Sequence, residues 1–488
     1  MKSNYVANKS VKFSVLSDDQ CGEIVSAAKE ILERTGVNYL DQTALEIMGQ
    51  AGCFIDGERV RIPSWLVDQA LRTVPKRVTL CNSRTGERVM HLEGYNAYFG
   101  TGSDTPYYID PYTGERKQST SKSVADNCRV IDALPNIDFA MSLGISQDVP
   151  QPVYDRYQFE AMVNNTSKPI VITANDSEGF ADIIEMAEII AGGEEALRRN
   201  PFMVLYAEPI TPLQHATESI GKLILAAKKE FPVVYTPCVM AGTTVPATMA
   251  GTLACGVAES LSGLVLHQLT KAGAPFIMGG VFTIMDMQST IFSYGAPEFH
   301  LLEGALADIA HYLKLPMFGT CGCSDSKTVD EQAAIEASFS ILMMAQAGPN
   351  LNHDVGYIEY GSTASLEMLV MSDEIIGMAR RIVRGIEVNR DTLAVDVIDR
   401  VGPGGHFLRD EHTRKYFKTE TWYPSIIDRS IYANWKAAGS KTLGQRANEK
   451  VKAILESHQA DPLAPEIREK VRAVIDRAVA KLPNEKLV

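Results

Sequence analysis

Short apolar runs alternate with longer helical patterns along most of this chain, and the alternation predicts its architecture. Eight runs read as strands: 98–100, 139–144, 169–173, 202–207, 233–237, 275–280, 316–319 and 351–354. Between them the period lengthens to that of amphipathic helices over 122–134, 179–190, 213–229, 247–271, 298–313, 329–347 and 365–384. A strand-then-helix unit repeated this often predicts an α/β fold, a (β/α)8 TIM barrel, rather than an open doubly wound sheet. Thr328-Val329-Asp330-Glu331 reads as a capping box for the helix that follows it.

Ahead of the barrel, Ser17-Asp18-Asp19-Gln20 opens a helix that stops by Gly36, and a second covers 41–50. Asp56-Gly57 turns a hairpin, a helix follows Pro63, and Arg84-Thr85-Gly86 joins a second hairpin of 77–82 and 87–92. The predicted division is a small N-terminal α/β extension over 1–95, the barrel over 96–388, and a Gly- and aromatic-rich segment with C-terminal helices over 389–488. The last two helices break at Asp461-Pro462 and are expected to pack on the barrel or on a neighbouring subunit.

Charge and composition narrow the partners. Sixty acidic residues against 47 basic give a net charge of -13 with no long basic run, which argues against nucleic acid and anionic membrane. No stretch approaches the roughly 20 uninterrupted apolar residues of a membrane span, and residues 1–10 lack the apolar core of a signal peptide, so a cytoplasmic location is expected. Eight scattered cysteines read as reduced thiols. Cys321 and Cys323 stand one residue apart without neighbouring His or Cys partners, and no metal is expected on this chain.

Barrel enzymes carry their chemistry at the C-terminal strand ends. Lys168 begins its strand and so faces away from such a site, which excludes a Schiff-base aldolase built on it. There is no closely spaced cysteine triplet for an iron–sulfur cluster, no P-loop, and Gly100-Thr101-Gly102 lacks the rest of a dinucleotide fingerprint. What the ends offer is acidic and aromatic: Asp104, Asn175, Glu208 and His353-Asp354, beside Tyr107, Tyr357 and Tyr360. Rings and carboxylates together suit a quaternary ammonium ligand, a cation that donates no conventional hydrogen bond. For single residues two readings stand: Asp104 holds such a head group or caps a turn, and His353 orients a ligand or lines the barrel. Glu208 acts on substrate or holds loop amides, and Gly279-Gly280 admits a bulky group or eases packing.

Three long motifs carry a resemblance. They are Phe99-Gly100-Thr101-Gly102-Ser103-Asp104 with Ile109-Asp110-Pro111-Tyr112-Thr113-Gly114-Glu115-Arg116; Gly319-Thr320-Cys321-Gly322-Cys323-Ser324-Asp325-Ser326-Lys327 with Asp330 and Gln332; and Gly402-Pro403-Gly404-Gly405-His406-Phe407-Leu408 with His412-Thr413 and Trp422. Together they resemble the trimethylamine methyltransferase family along nearly the whole chain. The resemblance implies a barrel enzyme that moves a methyl group from a methylated amine to the Co(I) corrinoid (cobalamin) of a separate, cognate corrinoid protein. In its trimethylamine branch, the resemblance further implies, pyrrolysine stands in a loop aligned with 319–327, where this chain has only ordinary residues. That departure points to the branch that demethylates quaternary amines such as glycine betaine, proline betaine or carnitine, with demethylation of another methylated amine, trimethylamine included, and a non-catalytic betaine-binding or corrinoid-docking role as alternatives.

Such chemistry needs no nucleophile from the protein, and a quaternary nitrogen leaves as a neutral amine, so positioning and water exclusion are the expected tasks. The corrinoid-protein pattern Asp-x-His-x-x-Gly is missing, since Asp410-Glu411-His412 runs on into Thr413, Arg414 and Lys415. The expected substrate cavity is lined by Asp104, Tyr107, His353, Tyr357 and Tyr360, with Glu208 and Asn175 at its floor. Gly279, Gly280 and Gly322 are expected where the corrinoid approaches, and the protein is expected to be a homo-oligomer.

Overall fold

In a computed structural model, which describes residues 11–483, the first helix (Asp18–Glu30) begins with the expected capping box: Ser17 Oγ accepts the Gln20 amide, and Gln20 Oε1 accepts that of Ser17. The expectation about a signal peptide in residues 1–10 lies outside the described residues. Phe54–Asp56 and Arg59–Arg61 form the first hairpin, and Arg59–Arg61 pairs onward with Val37–Tyr39. Val37–Tyr39 then pairs in parallel with Gln214–His215, a segment between two barrel elements. Tyr39 tightens this stitch, its ring stacked on His215 at 4.7 Å and its hydroxyl donating to the Ser262 carbonyl. The N-terminal residues therefore share one hydrophobic interior with the barrel.

Barrel strands β1 (Tyr98–Thr101), β2 (139–140), β3 (Ile170–Ile172), β4 (Met203–Ala207), β5 (Val233–Tyr235), β6 (Phe276–Gly279), β7 (Met317–Thr320) and β8 (Leu351–Val355) all run parallel. β8 pairs back onto β1, and bridges at Gly100–Phe139 and Ala140–Ile170 fit β2 into the remaining gap. Each strand is followed by a helix, so the chain is a closed (β/α)8 TIM barrel. Alternate residues point inward: Val171, Val204, Val234, Ile277, Phe318 and Leu351 pack with Phe139 and Met141.

The second hairpin (Val78–Cys81 with Arg88–Leu92) adds Val78, Leu80, Met90 and Leu92 to that same inner cluster. Its Cys81 and Ser83 amides donate to the carbonyls of Pro201 and Ser167, residues just ahead of β4 and β3. It is a plug at the N-terminal end of the barrel. At the other end the side chains of Glu208 and Cys238 are exposed.

Three expectations change. A helix, Tyr154–Asn165, stands between β2 and β3 where none was predicted, because its buried side mixes Asp155, Arg156 and Gln158 with Phe159, Met162 and Val163 and so shows only a diluted apolar stripe. The helix over Glu331–Ala347 is capped by Asp330, which accepts the Ala333 amide at 3.0 Å and is itself held by Ser326 Oγ; Thr328 is not the cap. Met249–Thr270, expected to be amphipathic, is apolar nearly all round and by length and a mean hydropathy of 1.5 could cross a membrane, although Gly, Ser, Thr, Glu and His interrupt its apolar residues as the sequence reading had it. It is nevertheless a core helix, buried nearly throughout, and it encloses Glu259 and His267. The two C-terminal helices, Leu443–Ser457 and Pro465–Ala480, pack on barrel helices Leu366–Val383 and Ser177–Ala191 respectively.

The unpredicted helix carries a buried ion network. Arg156 bonds Asp155 at 2.9 Å and Asp182 at 3.1 Å, and Asp155 also accepts the Asn175 amide. Arg156→Met is expected to leave two carboxylates short of their partner and to cost about 3–5 kcal/mol in urea unfolding. A loss below about 1 kcal/mol would show that water reaches the network.

Candidate active site

The segments leaving the strand ends raise two walls around the open end. After β1, Tyr107–Ile109 and Arg116–Gln118 form a hairpin turned by Asp110, which accepts the amides of Tyr112 and Thr113. Tyr107–Ile109 pairs with Thr363–Ala364 beyond β8, which pairs in turn with Tyr357–Ile358. After β5 and β6, Cys238–Ala241 and Val281–Asp286 pair in parallel, and Ile291–Phe292 adds an antiparallel edge.

Between the walls lies an acidic and aromatic recess. Tyr206 and Glu208 stand two residues apart at the end of β4, and the Tyr206 hydroxyl donates to Glu208 Oε2 at 3.1 Å. Glu208 and Cys238 have exposed side chains, yet burial is the main influence on both and raises the pKa of each. Exposure and desolvation coincide when the exposed surface faces a narrow internal space rather than the outside.

Asp354, at the end of β8, is pushed up to about 8 by burial, against the opposing hydrogen bonds of Tyr294 and Tyr357. Beside it, His353 has its Nδ1 2.9 Å from the Gly319 carbonyl, and burial pushes its imidazole down to about 3. A neutral ring that donates from Nδ1 has a bare Nε2, which lies 3.2 Å from Asp354 Oδ1.

Asp104 completes the group. It accepts Gln158 Nε2 at 2.9 Å, and burial raises its pKa despite that bond and the nearby Lys222. Asp104 acts electrostatically on Glu208 and Tyr357, and Asp354 does so on Tyr206, Cys238, Tyr294 and Tyr357. Three carboxyl groups whose pKa values burial raises, with three tyrosines among them, form a place where an organic cation is stabilised both by ring faces and by the carboxylates.

The structure brings Asp104, Glu208, His353 and Tyr357 together. Tyr107 stands in the outer wall with Arg116 stacked on its ring at 3.5 Å, and Tyr360 on the rim with Lys327 over its ring at 5.9 Å. Asn175 donates to the Gln151 carbonyl at 3.3 Å, away from the group at the β4 and β8 ends. The space beside Gly279 is filled by Thr236, that beside Gly280 by Leu306 and Phe282, and Gly322 adopts a left-handed φ of 71° next to Val355. These glycines serve packing and chain direction in this fold. Among the described residues no group of three or more His, Cys, Asp or Glu is arranged to hold a metal ion.

Sequence reasoning passed over Tyr206, Cys238 and Tyr294 and left Asp354 out of its cavity. Tyr206 was recoverable, because it shares Glu208's inward face of a strand. Tyr294 was not, since it lies in the long excursion after β6, which Asp325 helps to hold against the recess. Asp325, in the loop after β7, accepts Ser293 Oγ at 2.5 Å and the amides of Tyr294 and Gly295 at 2.9 and 3.0 Å. Asp325→Ala is expected to free this loop and raise KM about tenfold with a smaller change in kcat, as measured by steady-state kinetics. An unchanged KM would show that other contacts hold Tyr294.

A closed (β/α)8 barrel with one open, acidic and aromatic end is the class of protein that fold and site define. The model of the family described as "Trimethylamine methyltransferase (MTTB)" matches residues 1–483, and the chain belongs to that family. It is 34% identical over 462 residues to trimethylamine methyltransferase MttB of Desulfitobacterium hafniense (strain DSM 10664 / DCB-2), covering 94% of this chain and 93% of that one. It is 32% identical over 466 residues to the glycine betaine methyltransferase of Desulfitobacterium hafniense (strain Y51), covering 95% and 97%. Among solved structures, the Methanosarcina barkeri monomethylamine methyltransferase superposes with a TM-score of 0.53 at 12% identity, over 92% of this chain and 89% of that one, and bears out the fold. The protein is a methyltransferase enzyme.

Proposed function

We propose that this enzyme demethylates a quaternary amine of the betaine type and passes the methyl group to a corrinoid carried by a separate protein. The observation that carries the reading is the set of Tyr206, Tyr294 and Tyr357 placed around Asp354 in a recess at the barrel's open end. Likeness to a relative named glycine betaine methyltransferase along nearly the whole chain supports the same substrate class.

The corrinoid, when its carrier covers the mouth, supplies the cobalt nucleophile that takes up the methyl carbon. The open lumen, with Glu208 and Cys238 exposed inside it, suits an acceptor presented from outside. The chain's own residues bind and aim the substrate. The tyrosine faces and the carboxyls of Asp354, Glu208 and Asp104 hold the ammonium head, and Lys222, whose charge acts on both Glu208 and Asp104, offers a betaine carboxylate its partner. Departure of a neutral tertiary amine asks for no proton, so Asp354 and His353 orient and neutralise without passing one.

Methyl transfer to reduced cobalamin, assayed with glycine betaine, proline betaine, carnitine, choline and trimethylamine, tests the proposal. Activity with one betaine is the expected result. Activity confined to trimethylamine would overturn the quaternary-amine reading.

A further inference from the structure

One stretch of the described chain folds without a core. From residue 380 to 425 no residue is buried, although helices Arg390–Leu393, Val395–Val401 and Glu411–Glu420 form there. Eleven large apolar side chains between residues 386 and 432 stand exposed, among them Ile386 at 80% and Leu408 at 82%. At roughly 100 Å² apiece they amount to on the order of 1,000 Å² of exposed apolar side chain, close to what each partner buries in a standard interface.

The stretch is tied to the plugged end of the barrel. Trp422 and Asn136, which precedes β2, both border Gly377, and Arg381 donates to the Glu420 carbonyl at 2.9 Å near the end of the last barrel helix. An acceptor protein, on the reading given above, must meet the opposite end. Charge points the same way: residues 386–436 contain eight acidic and eight basic side chains, whereas the whole chain carries -13. Two copies of an acidic protein meet with least repulsion where each is locally neutral.

We propose that this face is covered by a second copy of the chain, in a contact using the same patch on both. Sedimentation of the full chain at micromolar concentration is then expected to give at least twice the 53.4 kDa of one copy. The variant Val395→Glu with Ile398→Glu, changing two exposed positions of one helix, is expected to run as a folded monomer with unchanged circular dichroism. A monomeric wild-type chain would hand the surface to a different protein and overturn the proposal, as would a folded variant that keeps the wild-type mass. Should the variant not fold, hydrogen exchange on the wild-type chain decides. Amides of 395–401 and 411–420 are expected to lose about tenfold in protection on dilution to nanomolar concentration. Protection that ignores dilution would overturn it equally.

Discussion

Asp354→Asn is expected to lower kcat/KM for methyl transfer about 100-fold, roughly 2.7 kcal/mol, and to flatten its dependence on pH. In the free enzyme burial holds this carboxyl neutral up to about pH 8. A bound ammonium favours the carboxylate, so binding below that pH must displace a proton. The sign follows: with the pKa raised, affinity for a cation climbs about tenfold per pH unit as pH rises towards 8, then levels off once Asp354 is ionised without help. Glu208 and Asp104, whose pKa values burial also raises, bend the profile in the same direction. Asparagine keeps the size and an acceptor for the Tyr294 and Tyr357 hydroxyls but has no charge to gain. Calorimetry of the betaine in two buffers of different ionisation heat counts the proton directly. A wild-type enzyme that releases none near pH 7, or an Asn variant that retains the wild-type profile, would remove Asp354 from the binding of the cation.

Gly102→Ala is expected to reduce activity at least about 100-fold while costing about 1–3 kcal/mol of stability. A Cβ at this position falls on the Tyr357 ring and on Asp354 Oδ1, far inside contact distance. Both neighbours are fixed: Tyr357 donates to the Ser103 carbonyl, and Asp354 sits against His353. One methyl group on β1's continuation must therefore push apart the two side chains at the centre of the recess, although Gly102 itself need not touch substrate. Thermal melting together with kcat/KM separates this from a general loss of fold. A variant within threefold of wild type in activity would show that the recess tolerates displacement.

The barrel was legible because its strands are short, apolar and evenly spaced, and a buried parallel strand cannot read otherwise. Seven of its helices showed their period. Tyr154–Asn165 did not, because Asp155, Arg156 and Gln158 lie on its buried side, where a sequence argument expects apolar residues. The site was half legible for a related reason. Glu208 directly follows a predicted strand, His353 lies in the last residues of another and Asp104 comes just beyond a third, so position alone nominates them. Tyr107 and Tyr360 follow strands too, but whether a ring faces the lumen or a neighbouring Arg116 or Lys327 depends on pairing across distant segments. The small sheet that turns these two loops joins residues more than 200 positions apart, as Tyr107 with Thr363, and no local pattern records that.

The hairpin wedged beneath β3 and β4 has a kinetic meaning. A chamber plugged at its base has a single doorway, so under the proposed reaction traffic through it is last in, first out. The amine must be seated before the acceptor protein shuts the doorway, and its demethylated remnant stays captive until that protein departs. The order of arrivals and departures is thus set by the apolar cluster in which Val78, Leu80, Met90 and Leu92 join the barrel's own inward side chains, at the far end of the molecule from the chemistry.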